Sequence, residues 1–552
     1  MAAPIIITLP VTNVDKHSAT SGGSIFSDGG ETLSEYGVCW NTSGLPTLAD
    51  PRTIDNSVSP YTGIGAVHVR AALHGHGTYN AVTGASTYNV MNYGAAGNGT
   101  TNDAPAIERA FLAAHAHSAS GAASTVLFPS GKTYLVSSGW DMPTIRTNDW
   151  VGATPTVQRS GIVKMSGYGA TIKYPNANPR FCWLQALNAG AADTQYKTHG
   201  NLIIEGFTID DNYRAPSGAC GDVFWIPAYY NTDNVVIRDV TMLDHVTHRT
   251  TYQQNRNVNG VNIMSNFTSR GQAHTSYITD ITIERCTLYG GKPVAILVDG
   301  TGGMATIGRN PVIIDNVLLT GSYFDSCNAC GSNVHIGAHA CGGTLTVTGC
   351  TFNDCSDDGL EINAFDSVTI TGCTFHNNRQ PICHTWFSFP MSAGLPTWLI
   401  SDCHYSGLCH YYWDFYTTTP GPIRSPMMPE VRKYATTAEY APGDTRSWGN
   451  FTIEDCTMEF GVANAYASHL NAFTIGSNGV PMESLTITNC DITDVGSGGN
   501  LIYVRQGSGK GRTLPVSIHD VRWRNSTSGS YATLPLSKCT FVGAYSLSTD
   551  MS

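Results

Sequence analysis

Charge is scarce in this chain: Asp, Glu, Lys and Arg make up 13% of its 552 residues, about half the usual share for a soluble domain. Basic residues are scarcer still, 30 against 41 acidic ones, for a formal net charge of −11. Nucleic-acid binding draws on clustered Lys and Arg that displace counterions, so the composition argues against that partner and, more weakly, against a densely charged polyanion. No run approaches the roughly 18 apolar residues that cross a bilayer, and membrane insertion is not expected. The opening Met1-Ala2-Ala3-Pro4-Ile5-Ile6-Ile7 lacks the basic flank and the apolar core of a secretory leader. No cofactor fingerprint is present. Cys327 and Cys330 have the spacing of half a zinc site, but no second pair accompanies them, so neither cofactor nor metal is expected.

Glycine is plentiful instead, with 58 residues, alongside many Thr, Ser and Asn. Frequent turns and polar, uncharged strands favour an all-β architecture. Residues 5–85 read as short strands between Gly-rich turns, as in Ser18 to Ile25, Ser27-Asp28-Gly29-Gly30 and Tyr36-Gly37-Val38-Cys39-Trp40. This stretch resembles a fibronectin type III-like β-sandwich, which implies a docking or spacer module. At its end, His74-Gly75-His76-Gly77 departs from the pattern of that family.

Residues 86–552 begin with Tyr88 to Gly94 and Gly97-Asn98-Gly99-Thr100-Thr101-Asn102-Asp103. An amphipathic helix follows near 103–115, with Ile107, Phe111 and Leu112 read as one side. Asn102 or Asp103 suits its N-cap and Pro105 its first turn. Then comes Phe128-Pro129-Ser130-Gly131-Lys132-Thr133-Tyr134. This order resembles the entry to pectate-lyase-superfamily β-helices, where the helix caps the open end of the solenoid.

Downstream one frame recurs: Leu202 to Phe207, Val235 to Val240, Ile281 to Cys286, Thr346 to Cys350, Thr369 to Cys373, Leu399 to Cys403, Thr452 to Cys456, Thr486 to Cys490 and Ser517 to Val521. Val317 to Phe324 fits with Ser322 in the Cys position. A fixed frame with variable insertions marks a solenoid, so the expected fold is a right-handed, single-stranded parallel β-helix preceded by a small β-sandwich. Coils stack at roughly 4.8 Å. Cys286, Cys350, Cys373, Cys403, Cys456 and Cys490 should therefore form an internal ladder of small apolar thiols rather than disulfides.

Candidate chemistry gathers on the strand preceding each marked one: Val294 to Asp299, Asn333 to His339, Asp357 to Asn363 and Pro381 to Trp386. Taking Val334, Ile336, Leu360 and Ile362 as inward turns His335, Glu361 and Asn363 outward, with His384 near them and His335 one coil from Glu361. Asp357 is outward as well, about 13 Å from Glu361 along the backbone. Asp358, about 10 Å away, comes closer if the strand starts late. Glycoside hydrolysis needs two carboxyl groups, about 5 Å apart for retention and 6.5–9.5 Å for inversion, which makes Asp357, Asp358, Glu361 and His335 the catalytic candidates. His384, Asn363, Trp386, Asp299, Tyr412 and Trp413 are candidates for holding sugar, the aromatics by stacking. Elimination is the competing chemistry, with Lys292 and Arg379 the nearest cations. An Asp-Asp-Gly corner is also ordinary turn composition, so a purely structural role competes. Polygalacturonases of the superfamily carry an Asn-Thr-Asp run, an Asp-Asp pair and a Gly-His-Gly run. Only the pair is matched, at Asp357 and Asp358, so pectin is not the expected substrate.

The order of parts resembles phage tailspike depolymerases. That resemblance implies an endo-glycosidase acting on a cell-surface polysaccharide, extracellular on a virion tail, homotrimeric, and joined to other tail proteins through the N-terminal module. A secreted bacterial polysaccharide hydrolase or lyase and a non-catalytic receptor-binding fibre are the alternatives.

Overall fold

In the computed structural model the chain divides into two compact units, Met1–Gly84 and Ala85–Ser552. The structure describes three strands of the first unit. From Ser86 onward it describes the coil strands and their tight corners. The longer corner segments, among them 385–394, 408–426 and 432–448, lie outside the described residues. In the first unit, β1 (Ile5–Thr12) and β2 (Thr20–Ser27) pair antiparallel, and β3 (Gly65–Val67) pairs antiparallel with β2.

In the second unit, short strands at Ser86–Asn89 and Asn98–Asn102 lead into α1 (Ala104–Ser118). The Asp103 carboxylate accepts from the backbone N–H groups of Ala96 (2.6 Å) and Gly97 (3.2 Å), and Asn102 Oδ1 accepts from Ala104 N (3.2 Å) and Ser137 N (3.1 Å). The Gly-rich run therefore ties the helix start to the first coil. Ile107, Ala110, Phe111 and Ala114 are buried beneath α1. Leu112, expected on that side, is exposed, because one residue past Phe111 turns it about 100° round a 3.6-residue helix.

Beyond α1 the strands pair in parallel, coil upon coil. One face is made of strands such as Thr344–Thr348, Ser367–Thr371, Thr397–Ser401 and Asn450–Glu454. Alternation sends Leu345 and Val347, Val368 and Ile370, Trp398 and Ile400 into the interior, where all are buried. A second face of short strands follows at once, as in Thr351–Asn353, Thr374–His376 and His404–Ser406. The bend between these two faces is a single residue with positive φ: Gly206, Asp239, Arg285, Gly321, Gly349, Gly372, Asp402, Asp455, Asn489 or Asp520. Gly, Asn and Asp are the residues that tolerate this left-handed conformation. Arg285 is the exception. Its guanidinium is clamped by the Asp239 carboxylate at 2.7 and 3.0 Å, a charge-assisted pair that offsets the strain.

Hydrogen bonds continue through the corner, from Thr374 N to Cys350 O and from His404 N to Cys373 O, both 2.8 Å. The residue after the bend points inward. It is Cys286, Cys350, Cys373, Cys403, Cys456 or Cys490, all buried and none in a disulfide. Ser322 fills the position in its coil and donates to Thr320 O at 3.1 Å, as Cys286 Sγ does to Glu284 O at 3.3 Å. Two residues further on, Phe324, Phe352, Phe375 and Tyr405 follow one another with ring centroids 5.4, 4.8 and 5.1 Å apart, the first pair tilted and the other two stacked.

The outside of the first face carries a ladder of alternating charge over early coils. Arg238 bridges Glu205 (2.6 Å) and Glu284 (3.7 Å), and Lys164 reaches Glu205 at 3.3 Å. Among the described residues no helix is long and apolar enough to cross a membrane.

Candidate functional site

The third face is a nine-stranded sheet. Its relevant strands are β4 (Val258–Asn266), β5 (Val294–Asp299), β6 (Val334–Gly337), β7 (Asp358–Ile362) and β8 (Gln380–His384). Each is short and rich in Val, Ile or Leu, so inward residues pack against the other two faces. Val294, Ile296, Val334, Ile336, Leu360 and Ile362 are all fully buried.

The register turns alternate positions into a column running along the coil axis: Asn262 beside Ala295, Ala295 beside His335, His335 beside Glu361, and Glu361 beside Cys383. Asn262 and Ala295 are only 3% and 2% exposed. The side chains of His335 and Glu361 are 16% and 14% exposed. The column is thus sealed at its start and opens at these two residues. His335 Nδ1 lies 3.2 Å from Glu361 Oε2. A carboxylate at that distance orients an imidazole and stabilises its protonated form. The two side chains thus stand in ion-pair range at a partly buried surface.

Asp358 stands elsewhere. Two and four residues before Ile362, Leu360 and Asp358 share its inward phase, and Asp358 is 2% exposed. Its carbonyl accepts from Asn333 N (2.8 Å) and from the thiol of Cys355 (3.0 Å), which ties it into the corner rather than onto the groove beside Glu361. His384 is displaced by one register step, pairing with Ile362, while Cys383 takes the place beside Glu361. The reason is that β8 begins at Gln380, so the odd-numbered position enters the column. Cys383 is the residue of this column that the sequence reading did not single out. Counting phase from Ile382 would have found it. Asp299 ends β5 opposite Asn266, four positions beyond Ala295. Asp357, Asn363, Trp386, Tyr412 and Trp413 lie outside the described residues. Among the described residues no group of three His, Cys, Asp or Glu could hold a metal ion.

A family model described as the right-handed β-helix region matches residues 228–407, which span β4 to β8. The chain is an all-β protein whose larger unit is a right-handed parallel β-helix. No curated protein matches the sequence. Among solved structures it is similar to the surface adhesin PfbA of Streptococcus pneumoniae, at 14% identity over 85% of this chain and 98% of that one, TM-score 0.44. It is also similar to the N-terminal fragment of gene product 12 of bacteriophage Phi29, at 16% identity over 78% and 62%, TM-score 0.42. A third is the catalytic unit of a GH87 α-1,3-glucanase from Streptomyces thermodiastaticus, at 11% identity over 85% and 70%, TM-score 0.38.

Proposed function

We propose that this protein binds an extended polysaccharide along the nine-stranded face and cleaves it at His335 and Glu361. The observation that carries this reading is the 3.2 Å contact between the two side chains, at the point where an otherwise sealed column opens. A β-helix offers a long ridge of regularly spaced side chains, which suits a chain-like ligand better than a small one. In hydrolysis Glu361 serves as one of the two carboxyl groups the reaction requires. His335 orients Glu361 and shares its proton.

The inward position of Asp358 favours a second reading. With one of the expected carboxylates withdrawn, His335 acts as the base of a β-elimination, steadied by Glu361. In either case the order of parts, a small β module followed by the solenoid, supports an extracellular role as a phage tail spike docked through residues 5–85 and assembled as a trimer.

The test is to incubate the full chain with a broad panel of bacterial capsular and cell-wall glycans. Hydrolysis yields new reducing ends alone, whereas elimination adds an ultraviolet-absorbing unsaturated end. Glu361→Gln should lower the rate by about 10²–10⁴-fold, the usual contribution of a general acid or base. Full activity in both Glu361→Gln and His335→Ala would sink the assignment. Binding without cleavage across the panel would turn the protein into a receptor-binding fibre. Recovery of the chain from purified virions checks the tail-spike placement separately.

A further inference from the structure

The coil interior holds a column of thiols that the glycan chemistry does not use. Cys350, Cys373, Cys403, Cys456 and Cys490 follow the left-handed bend in successive coils. The residues next to them pair in register from Thr351 through Thr374, His404 and Thr457 to Asp491. Each thiol is buried. The Sγ atoms of Cys373, Cys403, Cys456 and Cys490 donate to the carbonyls of Thr371 (3.5 Å), Ser401, Glu454 and Thr488 (3.2 Å each).

Neighbouring thiols also meet along the column. Hydrogen bonds with Cys350 and Cys403, together with burial, hold the Cys373 pKa well up, and contacts with Cys403 and Cys490 do the same for Cys456. Burial above all, with help from the Asp239 and Glu284 carboxylates, pushes Cys286, two coils before Cys350, up to about 12. The attacking species in disulfide chemistry is the thiolate. Contacts with Cys373 and Cys456 pull the Cys403 pKa down instead, so it is burial of every thiol that keeps an outside oxidant from the wound column.

Geometry adds a second barrier. A disulfide needs Cβ atoms about 3.8 Å apart and a sulfur–sulfur bond of about 2.05 Å. Coils stand roughly 4.8 Å apart, so only in-register neighbours fall within the roughly 4.4–6.8 Å Cα range of a disulfide, and bonding them would withdraw both sulfurs from their carbonyl acceptors. Thiols two or more coils apart stand about 10 Å or more from each other and cannot be joined in the wound stack. The unfolded chain has no such restraint. There, two column thiols can give up two electrons and two protons to glutathione disulfide. The chain gains one S–S bond, and two glutathione thiols leave. Any such bond that skips a coil joins thiols the stack holds about 10 Å or more apart, a geometry the stack cannot accept.

We propose that this thiol column makes the β-helix a redox-conditional fold: the coils wind only while the column is reduced, and once wound they shield it, so that the finished protein withstands an oxidising exterior. It follows that the chain is folded inside a reducing cell before it acts outside one.

The full chain is unfolded in guanidinium chloride and refolded by dilution into reduced or oxidised glutathione, with recovery read from far-ultraviolet circular dichroism and sedimentation. Oxidised glutathione is expected to lower recovery by roughly five-fold or more. A variant with Cys286, Cys350, Cys373, Cys403, Cys456 and Cys490 all changed to Ser should recover equally in both buffers, since Ser322 already serves at this corner. A companion variant that keeps those six and changes every other cysteine to Ser should remain sensitive to oxidant. Iodoacetamide, mapped by mass spectrometry, should label the column of the native protein roughly 100-fold more slowly than that of the unfolded chain. The proposal is overturned by equal recovery of the wild type in both buffers, by oxidant sensitivity that persists in the six-serine variant, or by fast labelling of the native column. Should the six-serine chain fail to refold even when reduced, the companion variant decides: insensitivity there overturns the proposal, and sensitivity with slow native labelling upholds it.

Discussion

Phe324, Phe352, Phe375 and Tyr405 lie one over another, and so do the cysteines beside them. The column across the third face reads Asn262, Ala295, His335, Glu361 and Cys383, with no residue repeated. Both columns use the same coil spacing. In the first, like stands on like, so each added coil extends a continuous apolar contact. In the second, unlike groups follow one another, and the same spacing brings His335 and Glu361 within 3.2 Å. Repetition in this fold therefore serves stability, and a break in repetition on an outward column is where to look for chemistry.

Four measurements bear on that contrast. The largest effect is expected for Phe352→Ala, which removes a fully buried ring from the middle of the stack. Phe→Ala in a core costs about 3–5 kcal/mol, read from the midpoint of denaturant unfolding. Next is Gly372→Val, at a bend with φ of +62°. A β-branched residue in that conformation costs about 1–3 kcal/mol. Gly372→Asn should be far milder, because Asn489 and Asp402 hold the same bend in other coils.

A smaller effect concerns the charged ladder outside the first face. Burial works to raise the Asp239 pKa, but hydrogen bonds from Arg285 and Tyr168 outweigh it and leave that pKa lowered. A carboxylate with a depressed pKa stabilises the fold fully above its unfolded value, near 3.9, and loses that contribution as pH falls through the folded value. Melting temperature followed below about pH 4 should accordingly fall less steeply for Asp239→Asn than for the wild type. The substitution keeps a residue that accepts the positive φ of 53°. The smallest effect on stability belongs to Glu361→Gln, expected within about 0.5 kcal/mol, whereas its proposed role calls for a loss of cleavage rate of about 10²–10⁴-fold. A destabilisation comparable with that of Phe352→Ala would place Glu361 among the structural ladders and erase the contrast.

Much of the coil was legible in the chain itself. The Gly, Asn or Asp before every column cysteine but Cys286 marks a left-handed bend, and the alternating Val and Ile before it mark an inward face. The helix start was legible from Asn102 and Asp103, which cap it from the side chain and the loop. Leu112 was misplaced because a 15-residue helix packs a narrow stripe, and its edge is set by the coil beneath. The pairing of His335 with Glu361 followed from the phase of their strands. Asp358 did not, because an Asp-Asp-Gly corner leaves the first strand residue undefined until hydrogen bonds from Asn333 and Cys355 seat it.

The sequence by itself determined that the chain winds into a parallel coil and which positions turn inward. Those choices rest on local chemistry: the conformational tolerance of Gly, Asn and Asp, and the two-residue period of a strand. Only the tertiary structure decided which residues from different coils become neighbours across the outward columns. That depends on where each strand begins after a corner insertion of variable length. A shift of one residue exchanges the inner and outer faces, and it is this that places Cys383 rather than His384 beside Glu361.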